Sequence, residues 1–439
     1  MLTIEQQIER NARRMPEKVA LICKDTIVSY CELWERCCEE ARRLRDDAGF
    51  YKGKRVILAA AGNAEFVYQY FGTHMAGGIC VPIDPDTKPA RREYIERIVA
   101  TGDPLDGMAD IMFTTGTTGA PKGVVLTHEN IAASARNINA YIGNYADDVE
   151  LLALPVSHSF GLGRLRCVLS KGGTMVLLGT FANVKRFFAA MDEFHVTGFG
   201  MVPAGWAYLK MMSRDKIRNY AGQLKYIEIG SSFMSVEDKK MLIEWLPDTR
   251  ICMHYGLTEA SRSAFMEFHE YAENLNSIGK AAPNVDIRII DGEICVKGEH
   301  VTQRYWNESL ERIAQDFHDG YFRTGDSGWM DEDGHIYIKG RIKEIINVGG
   351  EKVSPMEVED VLNAIPQIKE SACCAMSDKV MGEVVEAFIV EKEPITDAEI
   401  MELIKPQLEN YKWPKKIQRV DAIPKTSSGK IQRLQLKDV

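Results

Sequence analysis

Apolar side chains recur every three to four residues through positions 4–15 and again through 30–45, the spacing of two helices that each bury one face. Between them, Val19-Ala-Leu-Ile-Cys23 is too short for a helix and reads as a strand. Further on, 55–60 and 77–83 are unbroken apolar runs on either side of a helical stretch at 64–75. The same alternation continues. Buried strands are predicted at 151–155, 173–178, 225–232 and 251–255, with helices at 130–145 and 184–194 and an apolar helix after Pro203. Strands apolar on both faces that alternate with helices are what a helix-covered parallel sheet requires, so the expected class is α/β. Past a strand at 335–339 the order changes to a helix at 355–363, strands at 371–376 and 384–391 and a helix at 397–408, which predicts a small α+β unit.

Composition adds limits. A chain of 439 residues that is 45% hydrophobic can bury a large core and should form more than one domain. A net charge of −9 argues against non-specific nucleic-acid binding. No run approaches the roughly 20 apolar residues of a membrane span, and the amphipathic start from Met1 has no signal-peptide apolar stretch. The ten cysteines are scattered, and the adjacent pairs Cys37-Cys38 and Cys373-Cys374 have neither Cys-x-x-Cys spacing nor nearby histidines. Neither zinc nor a disulfide framework is indicated, and a soluble protein of the reducing cytoplasm is expected.

The densest chemistry lies at Ile111-Met-Phe-Thr114-Thr115-Gly116-Thr117-Thr118-Gly119-Ala-Pro-Lys122-Gly123. A β-prone run enters a loop of glycines and threonines, and a lysine follows. Glycines let backbone N–H groups approach a phosphate, hydroxyls add donors and the lysine adds a point charge. A polar turn is the plainer alternative, but a turn does not need four threonines and a lysine. The spacing is not that of a Walker A loop, because Pro121 precedes the lysine and Gly123 follows it.

Residues 114–123 resemble the signature of the acyl-adenylate-forming superfamily, whose members include acyl-CoA synthetases, peptide-synthetase adenylation domains and firefly-type luciferases. Further motifs follow in that family's order: Tyr255-Gly256-Leu-Thr258-Glu259, Thr324-Gly325-Asp326, and Pro424-Lys-Thr-Ser-Ser-Gly-Lys430-Ile-Gln-Arg433. The resemblance implies a role for each. Thr114, Thr115, Gly116, Thr117, Thr118, Gly119 and Lys122 would hold ATP phosphates, and Glu259 with Thr115 would hold Mg²⁺. Thr258 would touch the α-phosphate, Tyr255, Gly256 and Ser231 would flank the adenine, and Asp326 with Arg341 would hold the ribose. His158 would gate an acyl pocket walled by Phe160, Val202, Gly230, Ser232 and Gly256. Lys343 would be a hinge, Gly349 and Gly350 would let a pantetheine arm pass, and Lys430 would be the mobile catalytic lysine. The domains implied are 1–340, a large layered sheet-and-helix adenylation domain, and 341–439, a small mobile α+β domain.

Several of these residues have plainer readings. His158 alone reads as structural, and Thr258-Glu259 alone as a capping pair. Asp326 could cap a turn, and Lys430 could be merely solvated. Trp206, Tyr208 and Leu209 read as core, or by resemblance as acyl-pocket wall. Arg164 and Arg166, in an otherwise apolar stretch, either reach solvent, pair with acids elsewhere, or meet a second carboxylate on the substrate.

The chain also departs from the family. Only about 25 residues separate Asp84-Pro85 from the Gly/Thr loop, where the family usually carries a longer stretch with additional strands. How the sheet edge is then closed, and whether a homodimer closes it, stays open. The aspartate with which peptide-synthetase domains hold an α-ammonium is absent from Pro155 to Arg166. The activity implied is ATP-dependent activation of a carboxylic acid, fatty or aryl rather than amino, followed by transfer to the thiol of CoA. The alternatives are transfer to a carrier-protein phosphopantetheine and a non-catalytic nucleotide-binding relative.

Overall fold

A computed structural model describes every residue except 25, 105, 115–120, 182, 427, 428 and 439; the side chains of 310, 434, 437 and 438 are also outside the description. The described chain forms two compact units. The first comprises 1–114, 121–287 and 296–322, and the second comprises 288–295 and 323–439.

In the first unit, local sequence sets the helix ends. Ile4–Arg14 begins at Thr3, whose side chain accepts from Gln6 N while the Gln6 side chain accepts from the Thr3 N–H. The same reciprocal box, built by Ser29 with Glu32 and by Thr127 with Asn130, opens Tyr30–Asp46 and His128–Ile142. Gly77 and Gly143 end their helices in the left-handed region, with φ 89° and 83°.

Among the described residues the central sheet has nine strands. In spatial order they are Lys280–Ala281, Ala264–Glu267, Arg250–Tyr255, Tyr226–Ile229, Gly198–Met201, Val149–Leu152, Thr174–Leu177, Val19–Cys23 and Thr26–Ser29. From Arg250–Tyr255 through Val19–Cys23 the pairing is parallel, and the outer strands are antiparallel. One face packs on Ile8, Leu33, Phe66, Ile131, Leu162 and Leu165. The other packs on Phe187, Phe188, Trp206, Leu209 and Leu242. Trp206 is therefore core and not a pocket wall: it is 1% exposed, and its indole N–H donates to Asp238 at 2.9 Å.

A second sheet of this unit runs Arg304–Tyr305, Gly123–Thr127, Met108–Phe113, Ile79–Ile83 and Arg55–Ala59. The short stretch after Asp84-Pro85 folds as a helix, Pro89–Ala100, opened by its proline. Ile95 and Val99 lay it on the Ile79, Val81 and Ile83 face of that sheet. Its terminal carbonyls find side-chain donors. Arg55 donates to Val99 O at 2.7 Å and Ala100 O at 3.1 Å, and Trp306 and Asn307 donate to Ile98 O at 3.0 and 2.9 Å.

The second unit holds the strands Ile346–Val348, Glu351–Val353, Ile368–Asp378, Gly382–Glu391 and Lys416–Arg419, with helices Pro355–Asn363 and Asp397–Ile404 on a core of their own. Before them, Ile336–Arg341 pairs with Tyr321–Met330 in a separate sheet. The position 340/341 falls at the end of the Ile336–Arg341 strand, and residues 323–340 belong to the second unit.

Candidate active site

Parallel strands deliver their carboxyl ends to one edge of the sheet, where ligands of open α/β sheets bind. In the first unit that edge receives His158 and Phe160 after Val149–Leu152, Val202 after Gly198–Met201, Gly230 to Ser232 after Tyr226–Ile229, and Gly256 to Glu259 after Arg250–Tyr255. Two of these positions admit only glycine. A Cβ on Gly230 would run into the His254 imidazole, and one on Gly256 would meet the Arg262 and Ala260 backbone. Ser231 holds φ 80°, a left-handed conformation costly for a serine. Phe160 stands edge-on to His254, with ring centroids 4.6 Å apart, and His158 caps the Ser159–Lys171 helix with its backbone.

Beneath this edge lies a buried ionic network. Arg164, Glu150 and Glu228 are all 0% exposed. Arg164 pairs with Glu150 and, at 3.2 Å, with Glu228. Arg262 donates Nε–H to Glu228 at 3.0 Å and its other N–H groups to the Ser159 and Phe160 carbonyls at 2.9 Å. His254 Nδ1 lies 2.6 Å from Glu228. Burial alone would raise the Glu228 carboxyl, but Arg262, His254 and Arg164 hold it well below the usual range. Burial depresses His254. Arg166 pairs with Asp110, and its Nε–H donates to the Tyr70 hydroxyl at 3.0 Å. Both arginines are thus matched to acids inside the fold, which removes the case for either meeting a substrate carboxylate.

The charged groups closer to the Gly/Thr loop are arranged differently. Thr115, Gly116, Thr117, Thr118 and Gly119 lie outside the described residues, but the loop's two shoulders are described. Thr114 N–H donates to Lys122 O at 3.1 Å, and Lys122 N–H donates to Thr114 Oγ1 at 3.3 Å. Arg91 and Tyr94, from the Pro89–Ala100 helix, donate to the Thr114 and Pro121 carbonyls at 3.1 and 3.3 Å. The Lys122 ammonium sits 4.7 Å over the Tyr305 ring, and the Tyr305 hydroxyl donates to Glu259 Oε1 at 2.9 Å. Glu259 Oε2 accepts no hydrogen bond among the described residues. A half-buried carboxylate with one oxygen uncommitted is a hard oxygen donor, which fits Mg²⁺.

In the second unit, Asp326 and Arg341 face each other across an antiparallel pair. Arg341 Nε lies 2.9 Å from Asp326 Oδ1, and Nη1 donates to Thr324 O at 3.1 Å. Lys343 is exposed on a single turn, Ile342–Glu344. Gly349 and Gly350 take φ 60° and 99°, and Gly349 N–H donates to Met381 O at 2.9 Å. Lys430 closes a small loop, its carbonyl accepting from Thr426 N–H at 2.8 Å.

Family models match this arrangement over most of the chain. The AMP-binding enzyme model matches residues 8–100 and 97–306, and its C-terminal domain model matches 357–430. The chain belongs to the AMP-binding enzyme family. Among curated relatives, the 2-succinylbenzoate–CoA ligase of Bacillus licheniformis is 29% identical over 98% of each chain. The long-chain-fatty-acid–CoA ligase FadD13 of Mycobacterium tuberculosis is 28% identical over 94% of this chain and 93% of its own. A 4-coumarate–CoA ligase of Pinus taeda is 31% identical over 76% of this chain, which spans only 65% of that relative's length. Among solved structures, the o-succinylbenzoate CoA synthetase of Bacillus subtilis bearing its acyl-adenylate superposes with a TM-score of 0.89 at 26% identity, covering 99% and 98% of the two chains. ATP-bound MatB of Rhodopseudomonas palustris gives 0.87 at 26%, covering 100% and 99%.

Within this AMP-binding fold, three contributing side chains escape sequence reasoning. Tyr305 lies far from every motif, and its signal is spatial: its strand pairs with Gly123–Thr127, with Tyr305 opposite Val124. Arg91 and Tyr94 sit in the shortened stretch, where a helix-initiating proline was the available cue. Among the described residues no helix is long and apolar enough to cross a membrane.

Proposed function

We propose that this chain activates a carboxylic acid with ATP and Mg²⁺ and transfers the acyl group to the thiol of CoA. The substrate carboxylate oxygen attacks the α-phosphorus, the bond to the β-phosphate oxygen breaks, and pyrophosphate leaves with that electron pair. A thiolate then attacks the acyl carbon, and AMP departs. Two anions meet in the first step, so the site must concentrate positive potential and fixed donors.

The observation that carries the reading is the Lys122–Tyr305–Glu259 arrangement at the shoulder of the Gly/Thr loop. It offers a cation and a hard carboxylate side by side for a polyphosphate and its metal. Mg²⁺, held by Glu259 with Thr115, would supply charge for the departing pyrophosphate. Thr258 and Lys430 would contact the α-phosphate, with Lys430 also touching the carboxylate, and Asp326 with Arg341 would take the ribose. Rotation at Lys343 would then exchange Lys430 for the Gly349-Gly350 loop, beside which the thiol enters. The relatives' names, CoA ligases of 2-succinylbenzoate, long-chain fatty acids and 4-coumarate, support an aryl or fatty acid and CoA. The apolar Phe160 at the sheet edge is in keeping with that choice.

The test is pyrophosphate release with Mg·ATP over fatty, aryl, dicarboxylic and amino acids, with and without CoA. Release with an aryl or fatty acid and formation of its CoA thioester are expected. A stalled adenylate that turns over only with a carrier domain would replace CoA as acceptor, and ATP binding without release for any acid would favour a non-catalytic relative. Lys430→Gln should lower release by about 10²–10³-fold while ATP binding persists, as loss of one preorganised donor does.

A further inference from the structure

Lys122 and Glu259 carry opposite charges within reach of one side chain, Tyr305. Left to themselves, a lysine and a glutamate at a cleft edge pair with each other, and both are then withdrawn from a ligand. Here the ammonium rests 4.7 Å over the ring face, where the π-cloud holds it without neutralising it. The hydroxyl at the ring's far edge donates to a single oxygen of Glu259 at 2.9 Å.

The tyrosine is itself immobilised. It is 6% exposed, its strand pairs with the one that begins just after Lys122, and Trp306 N–H donates to Gly123 O at 2.7 Å. The Trp306 indole is anchored to the Ile98 and Thr101 carbonyls at 3.0 and 3.1 Å. On the other side, Thr302 N–H donates to the Glu259 carbonyl at 2.8 Å, so the backbones bearing the two oxygen groups are tied together as well.

We propose that Tyr305 is a positioning residue of the nucleotide site: it spaces Lys122 from Glu259 and presents one carboxylate oxygen to the metal that accompanies ATP. This rests on the proposed function and adds to it the group that fixes the metal half of the site. Tyr305 touches neither substrate nor reacting atoms; it acts through Glu259 by its hydroxyl and through Lys122 by its ring.

The two contacts can be separated by calorimetric titration of ATP, once with Mg²⁺ and once with EDTA. In Tyr305→Phe the ring stays and the hydroxyl goes. The gain in ATP affinity that Mg²⁺ brings should fall about tenfold, the size typical when a group supporting a metal ligand is lost, with binding in EDTA unchanged. In Tyr305→Leu the ring goes too, and binding in EDTA should also weaken several-fold. In a Glu259→Gln background, Tyr305→Phe should add no further loss. An unchanged Mg²⁺ gain in Tyr305→Phe, an equal loss with and without Mg²⁺, or additive losses in the double variant would overturn the inference. Should Tyr305→Phe fail to fold, 4-aminophenylalanine at position 305, which keeps the ring and a donor where the hydroxyl stood, carries the test: its Mg²⁺ gain should stay within about threefold of the original, and full loss would overturn the inference. If the unmodified chain binds no ATP, the proposed function fails and this inference with it; ATP binding with an unaltered Mg²⁺ gain in Tyr305→Phe sinks this inference alone.

Discussion

Two groups of charged side chains in the first unit are built on opposite rules. Around Glu228, cations and anions are sealed from solvent and matched to one another: Arg164 to Glu150 and Glu228, Arg262 to Glu228 and two carbonyls. Around Tyr305, a cation and an anion are each held by a neutral side chain and left incompletely matched. The first arrangement has no capacity left for a ligand. The second has a position waiting on each partner. Charge alone therefore does not mark a site; what marks it is charge that the fold has declined to neutralise.

This contrast can be broken from either side. Glu228→Ala should have the largest effect, because it leaves the Arg262 guanidinium without a carboxylate in the interior and takes one of two from Arg164. A loss of about 3–5 kcal/mol of stability is expected, visible as a lowered denaturation midpoint, with ATP affinity per folded molecule unchanged. Glu259→Gln should do the reverse. Pyrophosphate release should drop by about 10²–10³-fold while the denaturation midpoint stays within about 0.5 kcal/mol of the original.

A third case lies between the two groups in character. His300 is buried, and burial, with Arg136 adding to it, lowers its pKa to about 4. The folded chain therefore binds fewer protons than the unfolded one between about pH 6.5 and 4. Stability is full above the unfolded pKa and is lost as pH falls toward 4. The loss should be on the order of 3 kcal/mol across that window, and urea midpoints for His300→Gln should lack it. Smallest of all, Lys122→Gln should weaken ATP binding by roughly tenfold, about 1.4 kcal/mol, with little effect on folding.

The elements with strong periodicity were legible without coordinates, and the helix Pro355–Asn363 falls where its spacing predicts. The Gly/Thr loop, the Tyr-Gly-Leu-Thr-Glu run and the Thr-Gly-Asp run announce themselves because their chemistry is contiguous. The matched network was illegible for the opposite reason. Glu150 and Glu228 sit singly in short strands that read as apolar, and their partners arrive from a helix and a loop remote in sequence. Arg164 and Arg166 stood out as anomalies, yet only the fold could supply their acids. The strands between 264 and 305 are short and weakly patterned, so the sheet edge that brings Tyr305 beside Lys122 left no trace in the chain.

The Pro89–Ala100 helix bears on how this protein could be recombined with its relatives. Its carbonyl end is gripped by Arg55, Trp306 and Asn307, and its opening turns reach the two shoulders of the Gly/Thr loop. A chimera that grafts a longer connection between Pro85 and Met108 would strip those three side chains of their acceptors and those shoulders of their donors at a stroke. The segment is short, but it is not a spacer. It behaves as a keystone, exchangeable only together with the stones it touches.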